Sequence, residues 1–150
     1  MTSYKHTQIG YLMLFMLVVL VLFYAWLYGV MQEEAGSDNF FIVVTAFVVL
    51  ILASFASLTV TIDEQHLRLK FGYGIFRKSL PLREIASVKT VRNHWYYGWG
   101  IRAWFRPSMT IYNVSGFDAV ALTQKNGKIF RIGTDEPTAL EAALRQRIHS

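Results

Sequence analysis

The amino-acid sequence contains a run of 23 residues, 9–31, without a single charged side chain. As an α-helix this run is about 34 Å long, which exceeds the hydrocarbon thickness of about 30 Å in a typical bilayer. Thirteen of its residues are Leu, Ile, Phe or Val, and each of these favours insertion by roughly 0.3 to 0.6 kcal/mol. The run is longer than the apolar segment of a signal peptide and ends in bulky aromatic residues. We therefore predict a transmembrane helix over residues 9–31.

A second uncharged run begins at Phe40 and changes character before it ends at Ile62. Its first part is dense in Phe, Val, Ile, Leu and Ala and is just long enough to cross a bilayer as a helix. From Thr59 the letters TVTI alternate polar and apolar β-branched residues, a pattern typical of a strand. We predict a second transmembrane helix over residues 40–58 and a β domain from residue 59. Small residues at helical spacing in this run fit either a close helix neighbour or lipid-facing positions.

The charged residues predict how the chain is oriented in the membrane. Residues 32–39 carry three acidic side chains and no Lys or Arg, whereas residues 63–150 carry 14 Lys and Arg against seven Asp and Glu. By the positive-inside rule, residues 32–39 form a short external loop and both termini are cytoplasmic. Residues 1–8 are then a cytoplasmic tail, and the protein is a multi-pass protein of the inner membrane. Because topology explains the basic surplus and no nucleic-acid-binding motif is present, we expect no nucleic-acid partner.

Residues 59–150 carry the signals of short strands followed by one amphipathic helix. Asn126-Gly127 predicts a type I′ hairpin turn between two of the strands. At the C-terminus, Leu140, Ala143, Leu144 and Ile148 fall on one face of a helix. The predicted fold class is α+β, with a two-helix transmembrane hairpin followed by an antiparallel barrel or sandwich of about seven strands that one helix caps. The predicted strands cover residues 59–62, 67–71, 75–80, 87–92, 109–114, 118–123 and 128–132.

Residues 67–88 read LRLKFGYGIFRKSLPLREIASV. This segment resembles the opening of bacterial pleckstrin-homology-like (PH-like) domains, in which a basic hairpin leads into a pattern matched here by Leu82, Arg83, Glu84, Ile85 and Val88. Such domains commonly follow a pair of membrane helices, and the resemblance covers about residues 59–148. It implies a PH-like fold and a bacterial inner-membrane location. The matching positions form a packing pattern, so the resemblance implies no particular activity.

No constellation of catalytic or metal-binding residues is present in the sequence. The chain has no Cys, which excludes disulfides, thiol catalysis and Cys-ligated metal. None of the four histidines has a second ligand three or four residues away, and no phosphate-binding or nucleophile motif occurs. We predict that the protein is not an enzyme and holds no cofactor or metal.

The residues that we single out as a candidate binding site are aromatic and basic. Residues 94–106 contain six aromatic rings and two arginines, which suit a membrane interface or a protein-binding hot spot, or simply fill the core of the domain. A basic cluster near residue 80 fits either an anionic leaflet or a solvated strand face. The candidates for lipid or partner binding are Arg77, Lys78, Arg83, Trp95, Tyr96, Trp99, Arg102, Trp104 and Arg106.

Three classes of function are compatible with this sequence. The first is a membrane-anchored binding or scaffolding module, whose partners are membrane lipids and a protein. The second is a structural membrane protein that associates with further copies of itself. The third is a component of a membrane enzyme or transporter, for which the sequence offers no chemistry, since neither apolar run contains an ionisable acid or base.

Overall fold

A computed structural model describes residues 4–35, 39–106 and 108–149. These residues form an α+β fold of three α-helices and nine strands in two sheets. The helices are α1 (Tyr11–Ala35), α2 (Asn39–Ala53) and α3 (Pro137–Ile148); the strands are β1 (Tyr4–Ile9), β2 (Ser57–Ile62), β3 (His66–Phe71), β4 (Arg77–Pro81), β5 (Ile85–Arg92), β6 (Gly100–Phe105), β7 (Ser108–Asn113), β8 (Asp118–Gln124) and β9 (Ile129–Gly133).

The first sheet has the strand order β1-β2-β3-β4 and contains the segment before the first helix. β1 pairs with β2 in antiparallel register, with Ile9 opposite Ser57 and Tyr4 opposite Ile62. The prediction of a tail over residues 1–8 is therefore wrong for residues 4–8, which belong to the domain. Because α1 and α2 lie between β1 and β2 in the chain, the helical pair is an insertion into a β-hairpin.

α1 is the only helix in the described residues with the length and apolarity of a membrane span, over Tyr11–Met31 at a mean hydropathy of 2.4. α2 has 15 residues, about 22 Å of helix, so it is too short to qualify as the second transmembrane helix predicted over residues 40–58. After Ala53 the chain tightens into i→i+3 turns, in which Phe55 N–H donates to the Leu52 carbonyl and Ala56 N–H to the Ala53 carbonyl, both at 3.1 Å. Gly10 N–H then donates to the Ala56 carbonyl at 2.7 Å, next to the start of β2. The predicted loop over 32–39 is also shortened, since α1 continues to Ala35; residues 36–38 lie outside the described residues.

The second sheet has the order β5-β8-β9-β7-β6 and is mixed, because β7 and β9 run parallel. Two strands, β1 and β6, were not predicted, which raises the count from about seven to nine. No strand pairing joins the two sheets among the described residues, so they form two layers and not a closed barrel. The prediction of an α+β fold is confirmed. Of the two predicted arrangements, barrel or sandwich, the closed barrel is wrong, and the prediction of wholly antiparallel strands is wrong for β7 and β9.

The two sheets and α3 bury one shared hydrophobic core. Leu58 and Leu69 come from the first sheet, Val120 and Leu122 from the second, and each is at most 1% exposed. The predicted apolar face of the last helix is confirmed, because Leu140 and Leu144 are fully buried in this core and Ala143 and Ile148 pack against it.

The turn between β8 and β9 differs from the prediction. Gly127 has a φ of +87°, but no residue other than glycine has a positive φ in the described ranges. A type I′ turn needs positive φ at both central residues, so Asn126-Gly127 is not one. Gly127 N–H instead donates to the Gln124 carbonyl at 2.9 Å, as in a type I turn followed by a left-handed glycine.

One end of the domain is built around the base of the helical pair. Tyr73, in the turn between β3 and β4, donates its hydroxyl to the Leu50 carbonyl of α2 at 2.5 Å. Gln8, at the end of β1, donates its amide to the Ser115 carbonyl at 3.2 Å. We call this end, formed by residues 72–76, 93–99 and 114–117, the helix-proximal end.

Candidate functional site

The three basic residues predicted as one cluster lie in three different places. Arg77 is on the solvent-facing side of β4, and its Nε donates to the Gly74 carbonyl at 2.7 Å, toward the helix-proximal end. Lys78 faces the other side of β4, where its Nζ lies 5.8 Å from the centre of the Phe130 ring. Arg83 follows β4 and lines a cleft at the opposite end of the domain. Strand alternation separates the first two, since neighbouring residues point to opposite faces.

The aromatic segment 94–106 forms a short 3₁₀ helix and then β6. Within it, four rings and one imidazole pack on each other. His94 and Tyr96 stack with centroids 5.0 Å apart, and Tyr97 contacts Trp104 edge-on at 5.2 Å. Trp95 contacts the Tyr96 ring edge-on at 6.0 Å. The rings therefore stiffen the segment without help from the main core.

The candidate aromatic side chains do not belong to the hydrophobic core. Trp95 is 75% exposed and Tyr96 is 52% exposed, while Trp99 and Trp104 are partly buried. A ring that fills a core is removed from water, so the core interpretation does not account for Trp95 and Tyr96. An exposed aromatic surface remains, and large exposed apolar patches mark contacts with a membrane or a partner.

The 3₁₀ helix and its flanks lie at the helix-proximal end. Asn93 N–H donates to the Phe117 carbonyl at 2.7 Å, and the Trp99 indole donates to the Gly116 carbonyl at 3.2 Å. Arg102 donates from Nε to the Trp99 carbonyl at 3.2 Å, which keeps its guanidinium beside this loop. Arg106 follows the other end of β6, about 13 Å from Arg102 along the strand. Arg106 is therefore not part of the helix-proximal end.

A buried polar contact fixes the base of this aromatic segment. Arg131 on β9 donates from Nη1 to the Asn93 side-chain oxygen at 3.1 Å, and its guanidinium lies 5.4 Å from the centre of the Tyr97 ring. Asn93 is only 5% exposed. A hydrogen bond from a charged group and a cation–π contact thus act on adjacent parts of one loop and restrain it.

Sequence reasoning missed several further exposed side chains at the helix-proximal end, of which Phe117 contacts the Trp99 ring at 5.9 Å. Tyr73 and Ile75 in the β3–β4 turn are 52% and 64% exposed, and Phe117 is exposed with the Arg92 guanidinium 5.9 Å from its ring centre. Their turns are far apart in the sequence, so no local pattern connects them. The sequence marks each of these residues only singly, as an apolar side chain within a predicted turn.

β1 is bound to the start of α3 by polar contacts. The Tyr4 hydroxyl donates to a Glu136 carboxylate oxygen at 3.3 Å, and burial together with that negative charge raises the pKa of Tyr4 above its usual range. His6 Nε2 lies 2.6 Å from a carboxylate oxygen of Asp135. The strand that precedes α1 is thus held on two sides, by β2 and by the segment that leads into α3.

The described residues contain no group of three or more His, Asp or Glu that could hold a metal ion. Comparison of the chain with protein-family models, with curated proteins and with solved structures finds no match.

Proposed function

We propose that the protein is a membrane-anchored binding module that holds its α+β domain directly against the surface of the bacterial inner membrane. The observation that carries this proposal is the pairing of β1 with β2 at the two ends of the helical pair. Since Gly10 alone separates β1 from α1, and residues 54–56 separate α2 from β2, the domain has no flexible linker. A domain held in this way has a raised effective concentration toward anything else in the same membrane.

The β1–β2 pairing also constrains how the chain crosses the membrane. Because both strands belong to one sheet, the chain must enter and leave the bilayer on the same side. If α1 crosses the bilayer, α2 must return. At about 22 Å α2 is shorter than the hydrocarbon core, and locally thinned bilayer or the three residues after its end supply the difference. No side chain of α2 is buried by the protein, which an apolar helix tolerates in lipid and not in water.

Charge supports a cytoplasmic domain. The 14 Lys and Arg against seven Asp and Glu after residue 62, and the acidic connection between the helices, favour cytoplasmic termini by the positive-inside rule. The PH-like family assignment remains part of this proposal; consecutive antiparallel strands followed by a C-terminal helix support it, and the parallel β7–β9 pair is a departure from it.

The helix-proximal end suits contact with the membrane interface. Trp95, Tyr96 and Tyr73 are exposed there, and rings with polar tips favour the headgroup region. The alternative function, self-association, draws on the unpartnered outer faces of α1 and α2 and on a groove of about 320 Å³ between them. Cross-linking of the protein in its native membrane distinguishes these two functions, because a protein that stays monomeric excludes the alternative.

The placement of the domain is tested by tryptophan quenching with brominated lipids in the reconstituted protein. Trp26, Trp99 and Trp104 are replaced by Phe, so that Trp95 is the only tryptophan left. We expect strong quenching of Trp95. In the matched control, Trp95 is also replaced by Phe and Lys125 by Trp, at the end of β8 about 20 Å away, where we expect little quenching. Equal quenching at the two positions, or none at Trp95, contradicts the proposal.

The topology is tested separately by cysteine accessibility. The chain has no cysteine of its own, so only the introduced cysteine can be labelled. Single cysteines are placed at Ser37, between the helices, and at Lys125 in the domain. A membrane-impermeant maleimide is expected to label Ser37→Cys in intact spheroplasts, and Lys125→Cys only after the membrane is opened. Labelling of both before opening would show that the helical pair does not cross the bilayer.

A further inference from the structure

The outer face of the first sheet carries a concentration of positive charge that no sequence pattern brought together. Lys5, Arg68, Lys70 and Arg77 project from three different strands, β1, β3 and β4, onto one groove of about 610 Å³. Hydroxyl groups stand between them, including Thr7 and Thr59, whose oxygens are 2.9 Å apart. Cations interleaved with hydroxyl donors form a surface that is suited to phosphate oxygens.

Strand register arranges this groove in two rows. In the row nearer the helices Thr59 is opposite Lys70, and Lys70 is opposite Arg77. In the second row, two residues further along each strand, Lys5 is opposite Thr61 and Thr61 is opposite Arg68. Directly opposed residues have Cβ atoms about 5 Å apart, so a phosphate placed in either row reaches more than one donor.

Most of this positive charge is not neutralised by the protein. Arg68 has one carboxylate partner, with its guanidinium 3.0 Å from Asp63. In the described part of the chain, Lys5, Lys70 and Arg77 form no ion pair. Three cations that repel each other across one face are more stable when an anion lies among them.

The side chains in the nearer row point toward the membrane. A Cβ atom on Gly74 would lie 2.7 Å from an Arg77 guanidinium nitrogen and 3.0 Å from Lys70 Cε, so both side chains converge on the β3–β4 turn. That turn contacts α2 through Tyr73. The row is three residues from Gly10 along β1, about 10 Å, and the headgroup layer extends about 5–8 Å beyond the hydrocarbon core. Long basic side chains bridge the remaining distance.

We infer that this outer face, formed by Lys5, Arg68, Lys70 and Arg77, is a binding site for the phosphate groups of anionic phospholipids in the membrane that the helices enter. The inference rests on the proposed function, because it needs the domain to lie against the bilayer. A lipid is the occupant that fits the position of the groove, since the Lys70 and Arg77 side chains are directed to the end of the domain where α1 begins and α2 ends.

The experiment is native mass spectrometry of the intact, detergent-purified protein with equal amounts of phosphatidylglycerol and phosphatidylcholine. We expect preferential retention of phosphatidylglycerol. Each cation near an anionic surface adds roughly fivefold to binding, so we expect Lys5→Gln/Arg68→Gln/Lys70→Gln/Arg77→Gln to lower the preference by at least about tenfold. The matched control removes the same charge from exposed positions elsewhere, as Arg83→Gln/Lys89→Gln/Lys125→Gln/Lys128→Gln, and should keep the preference. No preference in the unchanged protein, or equal loss in both variants, overturns the inference.

Two double variants keep the test decisive if the fourfold variant does not fold. Lys70→Gln/Arg77→Gln removes the cations of the row nearer the membrane, and we expect it to lower the preference for phosphatidylglycerol more than Lys5→Gln/Arg68→Gln does. The reverse order contradicts the geometry. Inorganic phosphate and a single-stranded DNA oligonucleotide are added as competitors at the lipid's concentration, and displacement of the lipid by either one overturns the assignment to lipid. If brominated lipid quenches Trp95 but the protein shows no preference for phosphatidylglycerol, this inference fails and the proposed function stands. An unquenched Trp95 contradicts the proposed function itself.

Discussion

The turn between β3 and β4 gives a sharp prediction about how the domain is joined to its helices. Gly72 has a φ of +49°, and a Cβ atom at this position would lie 2.5 Å from the Ser54 carbonyl oxygen and 2.9 Å from its carbon. Both atoms belong to the backbone at the end of α2, so no side-chain rotation relieves the contact. The replacement Gly72→Ala therefore forces the turn and the helix end apart.

The expected cost has two parts. The left-handed backbone disfavours any residue with a Cβ atom by about 1–2 kcal/mol, and overpacking against a fixed neighbour adds about 1–3 kcal/mol. Gly127→Ala is the matched control, because Gly127 has a φ of +87° and nothing within 4 Å of its added Cβ atom. We expect Gly127→Ala to show only the first part. The effect of alanine on the unfolded chain is the same in both variants and cancels in the difference.

The measurement is urea unfolding of the intact protein in a mild detergent, followed by tryptophan fluorescence and by far-ultraviolet circular dichroism. Coincidence of the two transitions supports two-state analysis of the domain. We expect Gly72→Ala to reduce the free energy of unfolding by about 1–3 kcal/mol more than Gly127→Ala does. Equal losses in the two variants would refute the close packing of this turn on α2.

Three further predictions concern the domain. Replacing residues 10–56 by Asn-Gly should give a water-soluble protein with cooperative thermal unfolding, because Ile9 and Ser57 are register partners and a two-residue turn connects such a pair; aggregation or a broad transition would contradict this. Leu144→Ala, at a fully buried position, should cost about 2–5 kcal/mol in urea unfolding, whereas the exposed control Gln146→Ala should cost little. Backbone N–H groups of the turn lower the pKa of Asp63, so its charge stabilises the fold above about pH 4; Asp63→Asn should lower stability at neutral pH, with a difference that shrinks as pH falls through that pKa.

The elements that could be predicted from the sequence are those whose pattern is local. β3 alternates Leu67, Leu69 and Phe71 toward the core with Arg68 and Lys70 toward solvent, as its spacing predicts. The last helix shows its buried stripe in the same way. In both cases one face is buried and the other is not, so apolar residues recur in the sequence with the period of the strand or helix.

The two missed strands lack such a pattern for different reasons. β1 is defined by its pairing with β2, and 47 residues (10–56) separate Ile9 from Ser57, so no short window contains both partners. β6 is at an edge of its sheet, and most of its side chains are exposed on both faces, including Phe105 at 92%. Because β6 has no buried face, its sequence shows no alternation of polar and apolar residues, and its aromatic residues were interpreted as part of a loop. The positively charged outer face of the first sheet was missed because its members are distant in the sequence: Lys5 comes next to Arg68 and Lys70 only through the pairing of β1 with β2.

If α1 and α2 cross the membrane as proposed, their insertion into a β-hairpin links membrane assembly to domain folding. Closing a chain of 47 residues instead of two costs about 3 kcal/mol more in entropy, and this cost opposes the β1–β2 pairing. Under the proposed topology, insertion into the bilayer offsets most of this entropy cost. Tyr24 and Tyr28 of α1 pack on Phe41 of α2, and two packed antiparallel helices hold the start of α1 close to the end of α2. β1 then adds to the sheet as if it followed a short turn. A change that weakens the contact between the helices should therefore release β1 first, and with it Lys5, the one cation of the outer face of the first sheet that precedes α1.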